Sequence, residues 1–339
     1  MKERELIDII ARRAGDQRPG LLRGIGDDCA VIEGPPGRVQ LVTMDTLVES
    51  VHFDPNWHPP EKLGRKSVAV NVSDVAAMGG IPSFALLSLG LPAGFDDQWV
   101  DHFLQGFTGS CREYGCLLIG GDTVRSPDRI VITVTMIGEA AADQVVYRSS
   151  ARPGDTIWVS GSLGRAAAGL ELCRAGASQQ NDPLLESLVE AHLNPRARTA
   201  AGRLLAASGL VHAMIDLSDG LATDLAHLCE ESRAGAVIAA EKLPATPALY
   251  QASRLLQLDP VRLMISGGED YELLFTAAPA DTEGLLGLAA GAGVNFSPVG
   301  VITARSGVWL KRAGSGQDAV EEVRIDFKGF DHFPDPARR

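Results

Sequence analysis

Six aspartates, Asp28, Asp45, Asp74, Asp122, Asp216 and Asp219, share a local setting: nearly every one stands where an apolar run ends or beside a glycine, and they come from both halves of the chain. Asp27 and Asp28 follow Gly24-Ile25-Gly26. Asp45 breaks the apolar run VQLVTMDTL near its end, and Asp74 is the single carboxylate of KSVAVNVSDVAAMGG, residues 66–80. Asp122 follows two glycines, and Asp216 and Asp219 flank Ser218 ahead of Gly220. Each acid alone also suits a turn or a helix N-cap. Gathered in one cleft they would repel, two like charges about 4 Å apart costing roughly 4 kcal/mol at an effective dielectric of 20, and would need a counter-charge. Carboxylate and hydroxyl oxygens, with no His or Cys cluster beside them, suit Mg²⁺. Such a site fits phosphoryl transfer, where catalysis is largely positioning and neutralisation of charge.

The elements that must carry these acids can be read from the pattern around them. Ser67, Val70, Asn71, Asp74 and Met78 recur at helical spacing; Pro59 and Pro60 open that helix, and Gly79-Gly80-Ile81-Pro82 ends it. A carboxylate on so apolar a helix needs a partner, because a buried unpaired charge is costly or neutralises. Residues 39–47 read as a strand with Asp45 near its end, 84–91 as a buried strand and 96–114 as an amphipathic helix. A strand at 117–119 is expected to end at Gly120-Gly121-Asp122-Thr123, and the β-branched run 130–138 is the clearest strand of all. The change of composition at 148–155 divides the chain into domains 1–148 and 149–339.

In the second domain a strand at 156–160, a helix at 161–175 and a helical stretch at 182–208, broken near Asn194-Pro195, lead to a strand at 211–217. Asp216, Ser218 and Asp219 crowd its junction with a helix at 221–232. There Ser218 or Asp219 would cap the helix, or its free N–H groups would meet an anion. Residues 243–257 read as mostly helical, and Gly267-Gly268 turn the chain ahead of Glu269, Asp270 and a strand from Tyr271. A helix at 280–293 and short strands at 299–302 and 308–311 complete the reading, an α/β (α+β) fold in two domains.

Composition narrows the function classes. At 339 residues with 45% hydrophobic, 22% charged and 5% aromatic residues, the chain is globular, long enough for two cores, and unlike disordered or fibrous sequences. A net charge of −12 argues against a nucleic-acid surface. Five cysteines without a CxxC pair signal neither a disulfide framework nor zinc. The charged amphipathic N-terminus lacks the apolar core of a signal peptide, and no run is long enough to cross a membrane, so a cytoplasmic location is expected. No GxxxxGK[ST] loop or protein-kinase motif set occurs, and Gly24-x-Gly26 is an incomplete dinucleotide fingerprint followed by Pro35-Pro36-Gly37 instead of a helix.

GIGDD at 24–28, MDTLVESVHF at 44–53, VNVSDVAAMGG at 70–80, GGDT at 120–123, IDLSDG at 215–220, SGGEDYEL at 266–273 and FKGFDHF at 327–333 together resemble the thiamine-monophosphate kinase family, in order and over nearly the whole chain. That family is grouped with aminoimidazole ribonucleotide synthetase and selenophosphate synthetase. The resemblance implies a two-domain ATP-binding fold, a homodimer whose N-terminal sheets close into a barrel, and transfer of the ATP γ-phosphoryl group to thiamine monophosphate. It implies several Mg²⁺ ions on Asp28, Asp45, Asp74, Asp122 and Asp216, with Asp74 shared, Thr43 assisting and Asp219 at a further metal position. Gly121, Arg148 and Ser218 would contact the nucleotide, and His52, Glu269 and Phe327 the thiamine substrate. Two departures stand out. Met44 replaces a frequent Thr, so it could ligate only through its backbone carbonyl, and Phe327 replaces a frequent Trp, keeping a ring but losing an N–H donor.

No catalytic side-chain base is expected, because the accepting phosphate monoester, with a second pKa of about 6, is already largely ionised at neutral pH. The rival readings are a selenophosphate synthetase, which needs a reactive N-terminal Cys or selenocysteine that this chain lacks; a metal-dependent phosphohydrolase; and a nucleotide sensor without activity.

Overall fold

VITVTMIGEAA alternates between half-buried and buried at every step over Val131–Ala141, the period of a strand with one face on a core. In the computed structural model, which describes residues 3–14, 18–177, 182–313, 320–326, 329–330 and 332, this run is the centre of the first of two sheets. Its six strands are β1 (Leu21–Arg23), β2 (Ala30–Glu33), β3 (Arg38–Val48), β4 (Ile81–Leu91), β5 (Leu117–Arg125) and β6 (Val131–Ala141), in the order β1-β2-β3-β6-β4-β5. Only β4 and β5 pair in parallel. Helix α1 (Glu3–Ala14) precedes the sheet, and α2 (Pro60–Ala77) and α3 (Asp97–Tyr114) belong to the same half of the chain. The core under the sheet joins Leu41, Ile132, Val134 and Met136 to Val72, Val75, Phe103 and Phe107. The opposite face stays open, exposing Met44, Phe84, Leu117 and Val124.

The second sheet runs β13-β12-β9-β11-β7-β10-β8. Its strands are β7 (Thr156–Ser160), β8 (Val211–Asp216), β9 (Gly235–Ala239), β10 (Leu273–Ala277), β11 (Phe296–Thr303), β12 (Gly307–Ala313) and β13 (Val320–Arg324). The helices are α4 (Arg165–Arg174), α5 (Pro183–Leu193), α6 (Thr199–Ser208), α7 (Leu221–Glu231), α8 (Pro247–Leu256), α9 (Pro260–Ser266) and α10 (Thr282–Ala292). Two cores use this sheet. One includes Ile157, Ile215, Leu225 and Leu249, and the other stacks Trp158 on Phe275, with Leu205, Met214 and Leu285 around them.

The two halves meet on α2. Thirteen of its residues are buried, because the helix lies against β3 and β6 on one side and α6 and β8 on the other. A Cβ on Gly202 of α6 would sit 2.1 Å from the Ala76 carbonyl oxygen, so the close approach of those helices requires glycine.

Several details differ from expectation. The strand expected at 117–119 continues to Arg125, carried through its glycines by a bulge opposite β4. The helical stretch 182–208, by contrast, breaks where expected, into two helices separated at residues 194–198. Strands β1, β2, β9 and β13 and helix α9 were not foreseen, each being too short for its hydrophobic period to stand out.

Candidate active site

Strand β3 brings Thr43 and Asp45 to the helix side of the first sheet, because alternate residues share a face and Leu41 and Leu47 of that set are buried in the core. From α2, Asp74 meets them: the Thr43 hydroxyl donates to Asp74 Oδ2 at 2.5 Å. One turn back, Asn71 Oδ1 accepts from the Asp45 N–H at 3.0 Å. Ser73 donates to Asp216 Oδ2 at 2.6 Å, fastening the end of β8 to the same helix. The turn before β2 supplies Asp28, which pairs with Arg148 at 2.7 Å. One carboxylate oxygen from each of Asp28, Asp74 and Asp216 falls within 4.8 Å of the others. Asp28 and Asp216 are buried, and Asp74 keeps an edge in solvent.

The electrostatics of this group are unbalanced. Burial, then Asp45, Asp216 and Asp28, drive the Asp74 carboxyl well above the usual range, against the Thr43 hydrogen bond. Burial and Asp28 raise Asp216 to about 8. Burial raises Asp45 to about 6 and, with Glu3 adding to it, Asp219 also to about 6. Arg148 faces the opposite field: burial disfavours its charge, but Asp28, Asp216 and Asp27 outweigh that. Hard oxygen donors whose ionisation is suppressed only by one another and by desolvation fit a divalent cation, which would restore their charged forms.

The 217–220 turn between β8 and α7 completes one wall. Neither Ser218 nor Asp219 caps α7. The N-cap is Gly220, and Asp224, reaching back from the first turn of α7, accepts from the N–H groups of Asp219 at 3.2 Å and Gly220 at 3.0 Å. That leaves the side chains of Ser218 and Asp219 available. Ser218 also anchors the next loop, its carbonyl accepting from the Glu269 N–H at 2.7 Å.

Not every expected residue joins the group. Asp122 is exposed on the edge strand β5, where its carboxylate accepts from the Thr123 N–H at 2.9 Å. The register Asp45–Val134–Leu87–Gly121 puts it beyond β6 and β4 from Asp45, and Asp122 itself pairs with Ser88 on the other face. Gly121 has φ 154°, and a Cβ there would lie 1.7 Å from the Leu87 carbonyl oxygen, so the bulged strand admits only glycine. The Met44 side chain points to the open face, 63% exposed, leaving only its backbone for any ligand role.

His52 accepts at Nδ1 from the Val48 N–H at 2.9 Å, and its ring lies 6.5 Å from Phe330 and 5.1 Å from His332. Burial and the neighbouring His332 hold it below the usual histidine range. Phe327 lies outside the described residues, but the segment after it reaches the site: Gly329 N donates to Thr223 Oγ1 at 2.9 Å and Phe330 N to the Asp219 carbonyl at 3.1 Å.

Glu269 sits in a left-handed backbone, φ 67°, costly for a non-glycine residue and characteristic of functional loops. Lys66 Nζ is 2.6 Å from its Oε1. His192 Nδ1 is 2.9 Å from Oε2, a separation fit for a hydrogen bond although neither ring nitrogen is aligned on an acceptor. Lys66, Ser73, His192 and Asp224 were not singled out from the sequence. The signal for Lys66 was present: it stands at the head of the apolar run 66–80 within α2, as much in need of a partner as Asp74.

The fold and this acid-lined junction define a class. The family described as AIR synthase related protein matches with its N-terminal domain over residues 26–140 and its C-terminal domain over 152–311. Within it, a thiamine-monophosphate kinase of Escherichia coli (strain K12) is 38% identical over 333 residues, 97% of this chain and 98% of the relative. A solved structure of AaThiL complexed with AMPPCP and TMP has a TM-score of 0.85 and 33% identity, covering 98% of this chain and 97% of its own. A thiamine-monophosphate kinase from Stenotrophomonas maltophilia has a TM-score of 0.75 and 37% identity, covering 90% and 95%. The chain belongs to the thiamine-monophosphate kinase family.

Proposed function

We propose that this protein transfers the γ-phosphoryl group of ATP to the phosphate of thiamine monophosphate, giving thiamine diphosphate and ADP. The observation that carries the reading is the convergence of Asp28, Asp74 and Asp216, from three separate segments, within 4.8 Å in a chain similar to these kinases over 97% of its residues. Asp28, Asp45, Asp74 and Asp216, with Asp219 at the margin, would hold Mg²⁺, which when bound neutralises phosphate charge and keeps the attacking and leaving oxygens in line. Thr43 and Ser73 fix the orientation of two of these carboxylates through their hydroxyls. Arg148, already turned toward Asp28, supplies positive charge beside the nucleotide phosphates, and Ser218 lies at the turn facing them. His52, Glu269 and Phe327 are assigned to the thiamine portion.

No residue is needed as a base, since the accepting phosphate is already ionised. His212 does bond Asp155 at 2.8 Å, but it stands four residues before Asp216 on β8, roughly 13 Å away along an extended strand.

The two chain halves, 1–148 and 149–339, divide the work between a nucleotide and metal domain and a domain that completes the substrate site. A homodimer is part of the reading. The open apolar face of the first sheet and the unpaired edge of β5 are the surfaces a second copy would cover, and they carry the displaced Asp122 and Gly121. The location is read as cytoplasmic; among the described residues no helix is long and apolar enough to cross a membrane.

Incubation with ATP, Mg²⁺ and thiamine monophosphate tests the activity. Thiamine diphosphate formed one-for-one with ADP is the expected result. Release of inorganic phosphate in its place would make the protein a hydrolase, and no turnover of either substrate would make it a sensor.

A further inference from the structure

Lys66 has no solvent-exposed surface, yet it lies at the junction of the two halves of the chain with its ammonium on a carboxylate from the other half. A fully buried lysine is rare, and it survives here because Glu269 and the His192 carbonyl, 3.4 Å from Nζ, receive it. The residue it meets is not fully enclosed: the Glu269 side chain keeps 23% of its surface. Lys66 and His192 are both buried, so of the three side chains only that of Glu269 is appreciably open to solvent. One oxygen is taken by Lys66 and the other approached by His192, leaving a lone pair on each for a further donor.

The groups that act on Glu269 come from several elements: Lys66 of α2, His58 just before α2, His192 of α5, His52 of the β3–α2 connection and Tyr271 of its own loop. Burial opposes its ionisation, and Lys66 followed by His192 more than reverses this, holding the carboxyl well below the usual range. The loop itself is pinned in an unfavourable conformation, with φ 67° at Glu269 and 48° at Tyr271. Glu269 N and Tyr271 N donate to the carbonyls of Ser218 and Leu217, next to the metal-binding turn. A strained loop, a buried cation against an acid and an acidic side chain partly open to solvent make a fixed anionic acceptor.

We infer that Lys66 is a positioning residue for substrate recognition: it holds Glu269 as an oriented carboxylate for the cationic, amine-bearing ring portion of thiamine monophosphate. This rests on the proposed kinase reaction. A thiazolium ring carries a formal positive charge and an aminopyrimidine carries N–H donors, and both suit a carboxylate ion-paired to a buried lysine. The aromatic rings of His52, Phe330 and His332 cluster with centroids 4.9–6.5 Å apart, and His52 feels the Glu269 charge, a setting suited to a planar cation. Lys66 makes no contact with ATP in this scheme, so its effect should divide between the two substrates.

The test is steady-state kinetics with both substrates varied, on Lys66→Met, Glu269→Gln and the double variant, alongside their melting temperatures. Wild-type turnover of thiamine monophosphate establishes the underlying reaction first; without it the kinase reading fails, independently of Lys66. Each single variant should raise the KM for thiamine monophosphate by about tenfold or more, the scale of a lost hydrogen bond to a charged group, with the KM for ATP changed less than about twofold. The single variants leave one buried charge unpaired and should melt early. The double variant removes both charges and should recover most of the melting temperature while the KM for thiamine monophosphate stays raised. Recovery of KM together with stability in the double variant would reduce the pair to a structural bridge. Equal changes in both KM values, or a folded Lys66→Met enzyme with wild-type KM, would likewise overturn the assignment.

Discussion

Two buried acidic regions, both carried in part by α2, respond to burial in opposite ways. Around Asp74 four carboxylates crowd together with Arg148 as the one basic side chain bonded to them among the described residues, and the pKa values of Asp74 and Asp216 rise. Two turns earlier on the same helix, Lys66 meets a single carboxylate, and that of Glu269 falls. Desolvation penalises both acids; the sign is decided by whether the chain supplies the counter-charge itself. Where it does, the carboxylate is held ionised. Where it does not, the site is left short of positive charge, which is the condition a divalent cation and its phosphate ligands satisfy.

Neutralising one acid in each region should make this contrast measurable. The largest expected effect is on catalysis: Asp74→Asn should raise the barrier by about 4 kcal/mol, lowering kcat on the order of a thousandfold, with circular dichroism unchanged and melting no lower than wild type. Near-normal turnover would remove Asp74 from the metal site.

Stability should separate the regions by sign. Glu269→Gln, which strands the Lys66 charge, should cost about 3–5 kcal/mol in denaturant unfolding. Asp216→Asn should instead stabilise the metal-free protein at alkaline pH. Its carboxyl is raised from 3.8 to about 8 in the folded state, so its contribution is fully present below the unfolded value and is lost as pH rises through the folded one. The advantage of the variant should therefore grow between about pH 4 and pH 8, to on the order of a few kcal/mol, and shrink or reverse when saturating Mg²⁺ is added. A variant that melts below wild type across that window would show that the acids are not strained by one another. The smallest effect belongs to Thr43→Val, which deletes the hydrogen bond that orients Asp74; a loss of about 1–2 kcal/mol in kcat/KM is expected, roughly tenfold, with no change in melting.

The sequence legibly carried the acids, because each occupies a position that local chemistry marks: the end of an apolar run, or the neighbourhood of a glycine turn. The two-domain α/β organisation was equally readable from the strong strand at Val131–Ala141 and the apolar helix at Pro60–Ala77. Short elements were not: α9 has seven residues, less than two full turns of helix, and its period cannot be distinguished from a turn.

The partnerships were decided by tertiary structure. Whether Asp122 joins Asp45 depends on its distance across β6 and β4 and on a bulge that sets which face it occupies, neither of which local pattern records. Whether Asp219 or Gly220 caps α7 turned on Asp224 reaching back from within the helix. Most of all, Lys66 within the apolar helix and the carboxylate beyond Gly268 share no local signal. Sequence determined that both are charged and that the helix is apolar; only the docking of the second domain onto α2 made one the counter-ion of the other, because a buried charge is stable only where packing brings its partner within hydrogen-bond reach.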